Sequence, residues 1–182
     1  MRRRLFIPPV IGDVVYQAVS GVSGVQFLDA TSCPACSGLL ISHDLKQRRF
    51  STVQTPHGTG HIYVYVKRFH CRECGRLCYA DAPFYDKSRF GSPLVDLCIT
   101  LARSYTYSQT ATILENIGII IDRGTVRKTA LMYDHEVETV DFFGVFITRS
   151  VLSLSALVMG SDTTKPVSGR DVLEACGFPV FS

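Results

Sequence analysis

The sequence lacks any apolar run approaching the roughly 18 residues that a membrane-spanning helix needs. It also lacks a large excess of charge of one sign. Lys and Arg number 19 against 16 Asp and Glu, a formal net charge of +3, so no strong overall field announces a polyanionic partner. There is no internal repeat and no low-complexity tract, and a hydrophobic share of 46% argues against wholesale disorder. The basic start, Met1 to Arg4, has the head of an export signal. Two prolines, Pro8 and Pro9, and then Asp13 break the apolar stretch behind it, and no small-residue cleavage site follows. The expected location is therefore the cytoplasm, a reducing compartment in which close cysteine pairs favour metal over disulfide.

What the sequence does have is cysteine, seven in 182 residues. That length suits one ordinary domain or two small ones. Charge is divided unevenly. Residues 1–91 hold 12 basic and 6 acidic side chains, a net of +6, while residues 92–182 hold 7 and 10, a net of −3. The front half carries the attraction for anions, and the mild total conceals it.

Residues 10–20 predict an amphipathic helix, with Ile11, Val14, Val15, Ala18 and Val19 on one face and Gly21 and Gly24 ending it. Phe50 to Val53 predicts a strand, and Pro56 to Gly60 a turn. His61 to His70 alternates, Ile62, Val64 and Val66 against Tyr63, Tyr65 and Lys67, which is the period of a strand leading into Cys71. After a mixed-charge linker, Phe84 to Gly91, the period becomes helical. Ser92 reads as an N-cap before Pro93, with Leu94, Leu97, Cys98, Leu101 and Ala102 as the buried stripe. Thr106 and Gln109 fit a capping box for a helix to about Asn116. Gly118 stops it, and Asp122 caps a third helix running to about Thr139. Beyond 140 the pattern is less legible: Val151 to Met159 fits a helix or a buried strand, and Ser168 opens a short helix ending at Gly177.

Cys33-Pro34-Ala35-Cys36 and Cys71-Arg72-Glu73-Cys74 are two C-x-x-C pairs with 34 residues between them. Each pair, on a tight knuckle turn, presents two sulfurs to one ion, and two knuckles complete a tetrahedron. The expected cofactor is one Zn2+ held by Cys33, Cys36, Cys71 and Cys74. Iron uses the same four sulfurs, and zinc is the commoner occupant of structural ribbons. A redox C-x-x-C is usually a single pair at a helix start, unlike these. Cys78 is a competing ligand candidate, whereas Cys98 and Cys176 read as small buried hydrophobes. His43, His57, His61 and His70 read as surface or nucleic-acid contacts rather than ligands.

The second and third helices, joined by a short turn at Gly118, have helix-turn-helix length and punctuation. Ala111 and Leu114 would face Val126 and Ala130. The exposed start of the third helix offers Arg123, Thr125, Arg127 and Lys128 to phosphates, guanine edges or thymine methyls. The bland reading of the same pattern is a three-helix bundle with a solvated basic turn. From the ribbon, Lys67, Arg68 and Arg72 are further candidate DNA contacts. The acidic run Asp134, Glu136, Glu138 and Asp141 reads as a solvated face.

In this order the parts are familiar. Cys33 to Cys36, a hairpin, and Phe69-His70-Cys71-Arg72-Glu73-Cys74-Gly75 resemble the N-terminal zinc-binding segment of prokaryotic insertion-sequence transposases, archaeal-type ones in particular. Phe90 to Leu97, then Tyr105 to Ala111, then Ile121-Asp122-Arg123-Gly124-Thr125-Val126-Arg127 look like the helix-turn-helix that follows it there. The likeness covers roughly residues 25–140. It implies terminal-repeat DNA binding. Strand transfer in such proteins needs three carboxylates on a ribonuclease-H-like fold holding two metal ions, and residues 141–182 are too few to build one. The chain is thus expected to be a recognition front end, a truncated remnant or stand-alone derivative, without catalytic residues of its own.

The expected fold is α+β: residues 1–30 an N-terminal helix and lead-in, 31–82 a small β zinc ribbon, 83–140 a three-helix helix-turn-helix domain, and 141–182 an irregular C-terminal tail. Double-stranded DNA is the expected partner, with a possible homodimer, no membrane and no small-molecule substrate. The competing readings are a zinc-ribbon transcriptional regulator or RNA-associated factor, stacking bases on Tyr63, Tyr65 and Phe69, and a metal-stapled module for protein partners.

Overall fold

The computed structural model describes residues 6–180; the basic head Met1 to Arg4 lies outside them. Helix α1, Pro9–Ser20, starts on a proline and buries Ile11, Val15, Ala18 and Val19, the predicted face with Val14 at its margin. Gly21 caps it in an ordinary right-handed conformation. Its lack of a side chain has another cause: a Cβ there would lie 2.2 Å from Val158.

The sheet is built on one long hairpin. Strand β2, Leu40–Thr55, pairs antiparallel with β3, Gly58–Cys71, around a turn at Pro56 and His57. The short strand β1, Gln26–Phe27, lies parallel to the middle of β3, and β4, Leu77–Tyr79, pairs with its end. The predicted strand at 50–53 is only the buried end of β2. Residues 40–49 are mostly solvent-exposed, so they carry no apolar alternation by which a strand announces itself.

The helices follow: α2, Ser92–Ser104, α3, Tyr107–Asn116, and α4, Arg123–Met132. Helix α2 is central, and every residue from Ser92 to Ile99 is buried. Its N-cap is Gly91, not Ser92. Gly91 lies against the Phe50 ring, where a Cβ would sit 2.2 Å from it, and Ser92 is turned fully inward. The capping box of Thr106 and Gln109 forms as expected, and Asp122 caps α4.

Two expectations are corrected. Helix α4 stops at Met132 rather than near Thr139. Tyr133 takes an extended conformation and its hydroxyl donates to the Asp86 carbonyl at 2.6 Å. Residues 139–142 then pair as β5, Thr139–Phe142, with β6, Val145–Thr148. The C-terminal tail is also not irregular. After this hairpin come α5, Arg149–Met159, which packs on α1, and α6, Gly169–Ala175, with its own capping box from Ser168 and Asp171. One apolar cluster runs from Ile11 on α1 through Phe50 and Val66 of the sheet and Leu97 of α2 to Leu154 and Val172. No helix among the described residues is long and apolar enough to cross a membrane.

Candidate metal centre and cationic face

The hairpin has two ends. At the open end its strands run into the two cysteine pairs, which adopt the same backbone design. The Cys33 amide donates to the Gly38 carbonyl at 3.1 Å, and Ser37 returns its amide to the Cys33 carbonyl at 2.8 Å. In the second pair Cys71 donates to Arg76 at 2.8 Å, and Gly75 to Cys71 at 2.9 Å. The left-handed position of each knuckle falls on Ser37, φ 59°, and on Gly75, φ 70°. A serine therefore does at the first knuckle what the glycine does at the second. Gly38 answers a different need, since a Cβ there would be 2.9 Å from the Cys71 sulfur.

The four sulfurs of Cys33, Cys36, Cys71 and Cys74 all lie within 4.8 Å of one another, with Cys33 to Cys74 at 3.7 Å and Cys36 to Cys71 at 3.4 Å. A tetrahedral shell with metal–sulfur bonds of about 2.3 Å requires sulfur separations of about 3.8 Å. The donor set fits a single metal ion, and the group could hold one. The backbone also prepares the thiolate. The amide of Ala35, helped by that of Cys36, pulls the Cys33 pKa down to about 6. The Cys74 amide lowers that of Cys71 in the same way. Cys36, sharing a proton with Cys71, is pushed up to about 12 in the metal-free chain.

Cys78 is buried beside this group, 3.7 Å from the Cys33 sulfur, but is not one of the four. Burial raises its pKa. Cys98 and Cys176 are buried apolar side chains in the main core. None of the histidines joins the sulfur group. His43 and His70 stack edge to face at 4.5 Å on the ribbon edge, and His61 meets the Thr52 hydroxyl at 3.1 Å.

The closed end of the hairpin is sewn to the helices. Gln54 donates to the Gly118 carbonyl and Ile120 to that of Thr52, both at 2.9 Å, and Val53 bridges Ile119. The link between α3 and α4 is thus more than a turn: Gly118, φ 88°, reverses the chain, and the following residues run beside β2 before Asp122. Leu114 and Val126 are fully buried between the helices, while Ala111 and Ala130 are half-buried.

The predicted DNA contacts divide between these ends. Arg123, Arg127 and Lys128 are exposed on α4 and pair with no carboxylate among the described residues. The Thr125 hydroxyl donates to Asp122 at 2.6 Å, which lowers the Asp122 pKa. Lys67, Arg68 and Arg72 lie at the metal end. Arg68 is not a free cation, since its guanidinium grips both carboxylate oxygens of Asp44. Lys67 pairs with Leu45 on β2, and Arg49, four positions further along that strand, already lines the cleft beside α4.

Sequence reasoning missed the residues that complete the patch at α4. Arg49 and His61 of the hairpin and Arg89 of the linker line a cleft of about 300 Å³ with Asp122 and Thr125. The linker reaches along α4 as well, where Lys87 and Arg89 border Lys128. The Arg48-Arg49 doublet and the Lys87-Ser88-Arg89 run were the available signals. The acidic residues Asp134, Glu136 and Glu138 are exposed as expected, on extended backbone rather than helix. Between them His135 turns inward to Asp96 at 2.8 Å, and Asp96 also accepts from the Tyr85 hydroxyl at 2.9 Å.

Compared with known proteins, the chain matches no family model, no curated protein and no solved structure. The functional reading therefore rests on this geometry and on the residues that carry it.

Proposed function

We propose that the protein is a zinc-dependent double-stranded-DNA-binding protein with the design of a transposase recognition front end. Zinc takes the four thiolates and fixes the ribbon; α3 and α4 act as the helix-turn-helix. The observation that carries the reading is the convergence of cations on the start of α4 from three separate stretches of chain. Arg49 of the hairpin and Arg89 of the linker line the cleft at Asp122 and Thr125, Arg89 also borders Lys128, and Arg123 and Arg127 are exposed on the same helix. In a chain of net charge +3, unpaired cations gathered along and beside one helix are suited to a run of phosphates. Asp122, the acid nearest to them, is spent on the helix cap. The Tyr63, Tyr65 and Phe69 rings, which a single-strand binder would present for stacking, are half-buried in the sheet.

The test is charge reversal. Fluorescence anisotropy with a duplex at low salt should show binding by the zinc-loaded protein. Arg123→Glu with Arg127→Glu should weaken it at least a hundredfold, and the salt dependence should flatten with each phosphate left unneutralised. Unchanged affinity would remove α4 from the interface. Equal affinity for single-stranded RNA would favour the RNA-associated reading instead.

A further inference from the structure

A cavity of about 590 Å³ lies on the other side of the linker from α4. That is within the range of small-molecule sites, roughly 300–1,000 Å³. Three cations stand in its wall: Lys46 and Arg48 from β2 and Lys87 from the linker. Arg48 is the informative one. Its guanidinium lies flat over the Phe84 ring, 3.8 Å from the centroid, and one of its nitrogens donates to the Ser88 carbonyl at 3.3 Å. Phe84 is itself fixed edge-on to Phe50 in the core, with centroids 5.9 Å apart. The arginine is half-buried, yet pairs with no carboxylate among the described residues. Burial lowers its pKa. A desolvated cation without a counter-ion is costly, and an anion entering the cavity would relieve that cost.

The rest of the wall narrows the class of anion. Tyr79 is 43% exposed, with Lys46 Nζ 6.0 Å from its ring centroid, and Phe178 offers a second ring. Asp81 and Asp86 also face the cavity. They would repel a bare phosphate, but they accept hydrogen bonds from hydroxyl or amino groups. A ligand that joins a phosphate, hydroxyl and amino donors and a flat ring answers all three sets. Lys87 adds a backbone clue: it takes a left-handed conformation, φ 61°, which costs a non-glycine residue energy and persists where surroundings enforce it.

We propose that this cavity binds one nucleotide unit, its phosphate on Arg48, Lys46 and Lys87 and its base against the exposed Tyr79 ring and the half-buried Phe178. The unit comes either as a free nucleotide or as the 5′-phosphorylated end of an unpaired strand. Lys87 stands between this site and the duplex surface on α4, while Arg48 and Lys46 belong to the cavity alone; the site departs from the expectation of no small-molecule ligand.

Calorimetric titration of the full-length, zinc-loaded protein tests it, with three probes: AMP, the 5′-phosphorylated tetranucleotide of thymidine, and inorganic phosphate. At least one of the first two should bind, and more tightly than inorganic phosphate. AMP binding as tightly as the tetranucleotide identifies the free nucleotide; preference for the tetranucleotide identifies the strand end. Arg48→Met, which keeps an apolar stem over Phe84, should weaken binding at least tenfold while leaving duplex affinity unchanged. Lys87→Gly removes a cation and relieves the left-handed residue, so a several-fold loss there has no origin in poorer folding. Arg123→Glu with Arg127→Glu should leave nucleotide affinity intact even where duplex binding is abolished. No binding of either nucleotide probe, parity with inorganic phosphate, or unchanged affinity in both Arg48→Met and Lys87→Gly would overturn the assignment.

Discussion

The two ends of the β2–β3 hairpin are held by different forces. At the closed end, Phe50, Val53, Val64 and Val66 enter the main core and are covered by helices. At the open end the buried apolar cluster consists of Cys33, Cys71 and Cys78, with Leu40 packed beside it. Around it Leu39, Ile41, Leu45 and Leu77 are exposed. So small a core cannot offset the conformational entropy of two knuckles and four strand ends. Coordination of a metal can, since structural zinc supplies about 10–16 kcal/mol at neutral pH. Hydrophobic burial thus holds one end of this pair of strands, and the other offers four sulfurs that could hold a metal ion.

The difference is open to direct attack. The largest effect is expected from metal removal, by chelation or by Cys71→Ser with Cys74→Ser. Hydrogen exchange should rise across residues 31–48 and 67–79, while α2 and α5 keep their protection; exchange rising uniformly would join the two ends into one cooperative unit. Acid should have the same local effect. The folded-state pKa of Cys33 is depressed from 9.0 to about 6, so its thiolate is retained as pH falls through the ordinary thiol range and protonated only near pH 6. Protons compete with an ion for all four thiolates, so metal release, followed with a colorimetric chelator, should increase as pH falls.

Next in size is the opposite end. Leu97 is fully buried in α2, and Leu97→Ala should cost about 2–5 kcal/mol in denaturant unfolding with metal affinity unchanged. A smaller loss, about 1–3 kcal/mol, is expected from Asp96→Ala, which leaves the Tyr85 hydroxyl and His135 without their shared acceptor. Asp122→Ala, which removes the cap of α4, should cost about 1 kcal/mol. Its helical signal should fray before the rest of the chain melts.

The legible parts of the sequence were those governed by local rules. The knuckle spacing, the alternation of β3, the stripe of α1 and the caps at Thr106 and Asp122 each need only a few neighbouring residues. What escaped depends on distant partners. The first half of β2 is exposed on both faces, so its pairing with β3 leaves no trace in hydropathy. Helix α5 makes sense only against α1, more than 120 residues earlier, where Gly21 leaves room for Val158. The end of α4 is set by Tyr133 reaching the linker carbonyl of Asp86, and by the β-branched residues that follow pairing as a hairpin. The metal ligands needed only spacing, whereas the cationic cleft needed the fold, because it draws Arg49, Arg89 and Thr125 from three segments.

The slope of duplex affinity against salt tests the central claim most directly. Five cations lie on or beside α4: Arg49, Arg89 and Lys128 line its clefts, and Arg123 and Arg127 are exposed on the helix. If each neutralises a phosphate, log K for the zinc-loaded protein should fall against log salt with a slope of roughly −4.5. A slope near zero, or no duplex binding at low salt, would contradict the account.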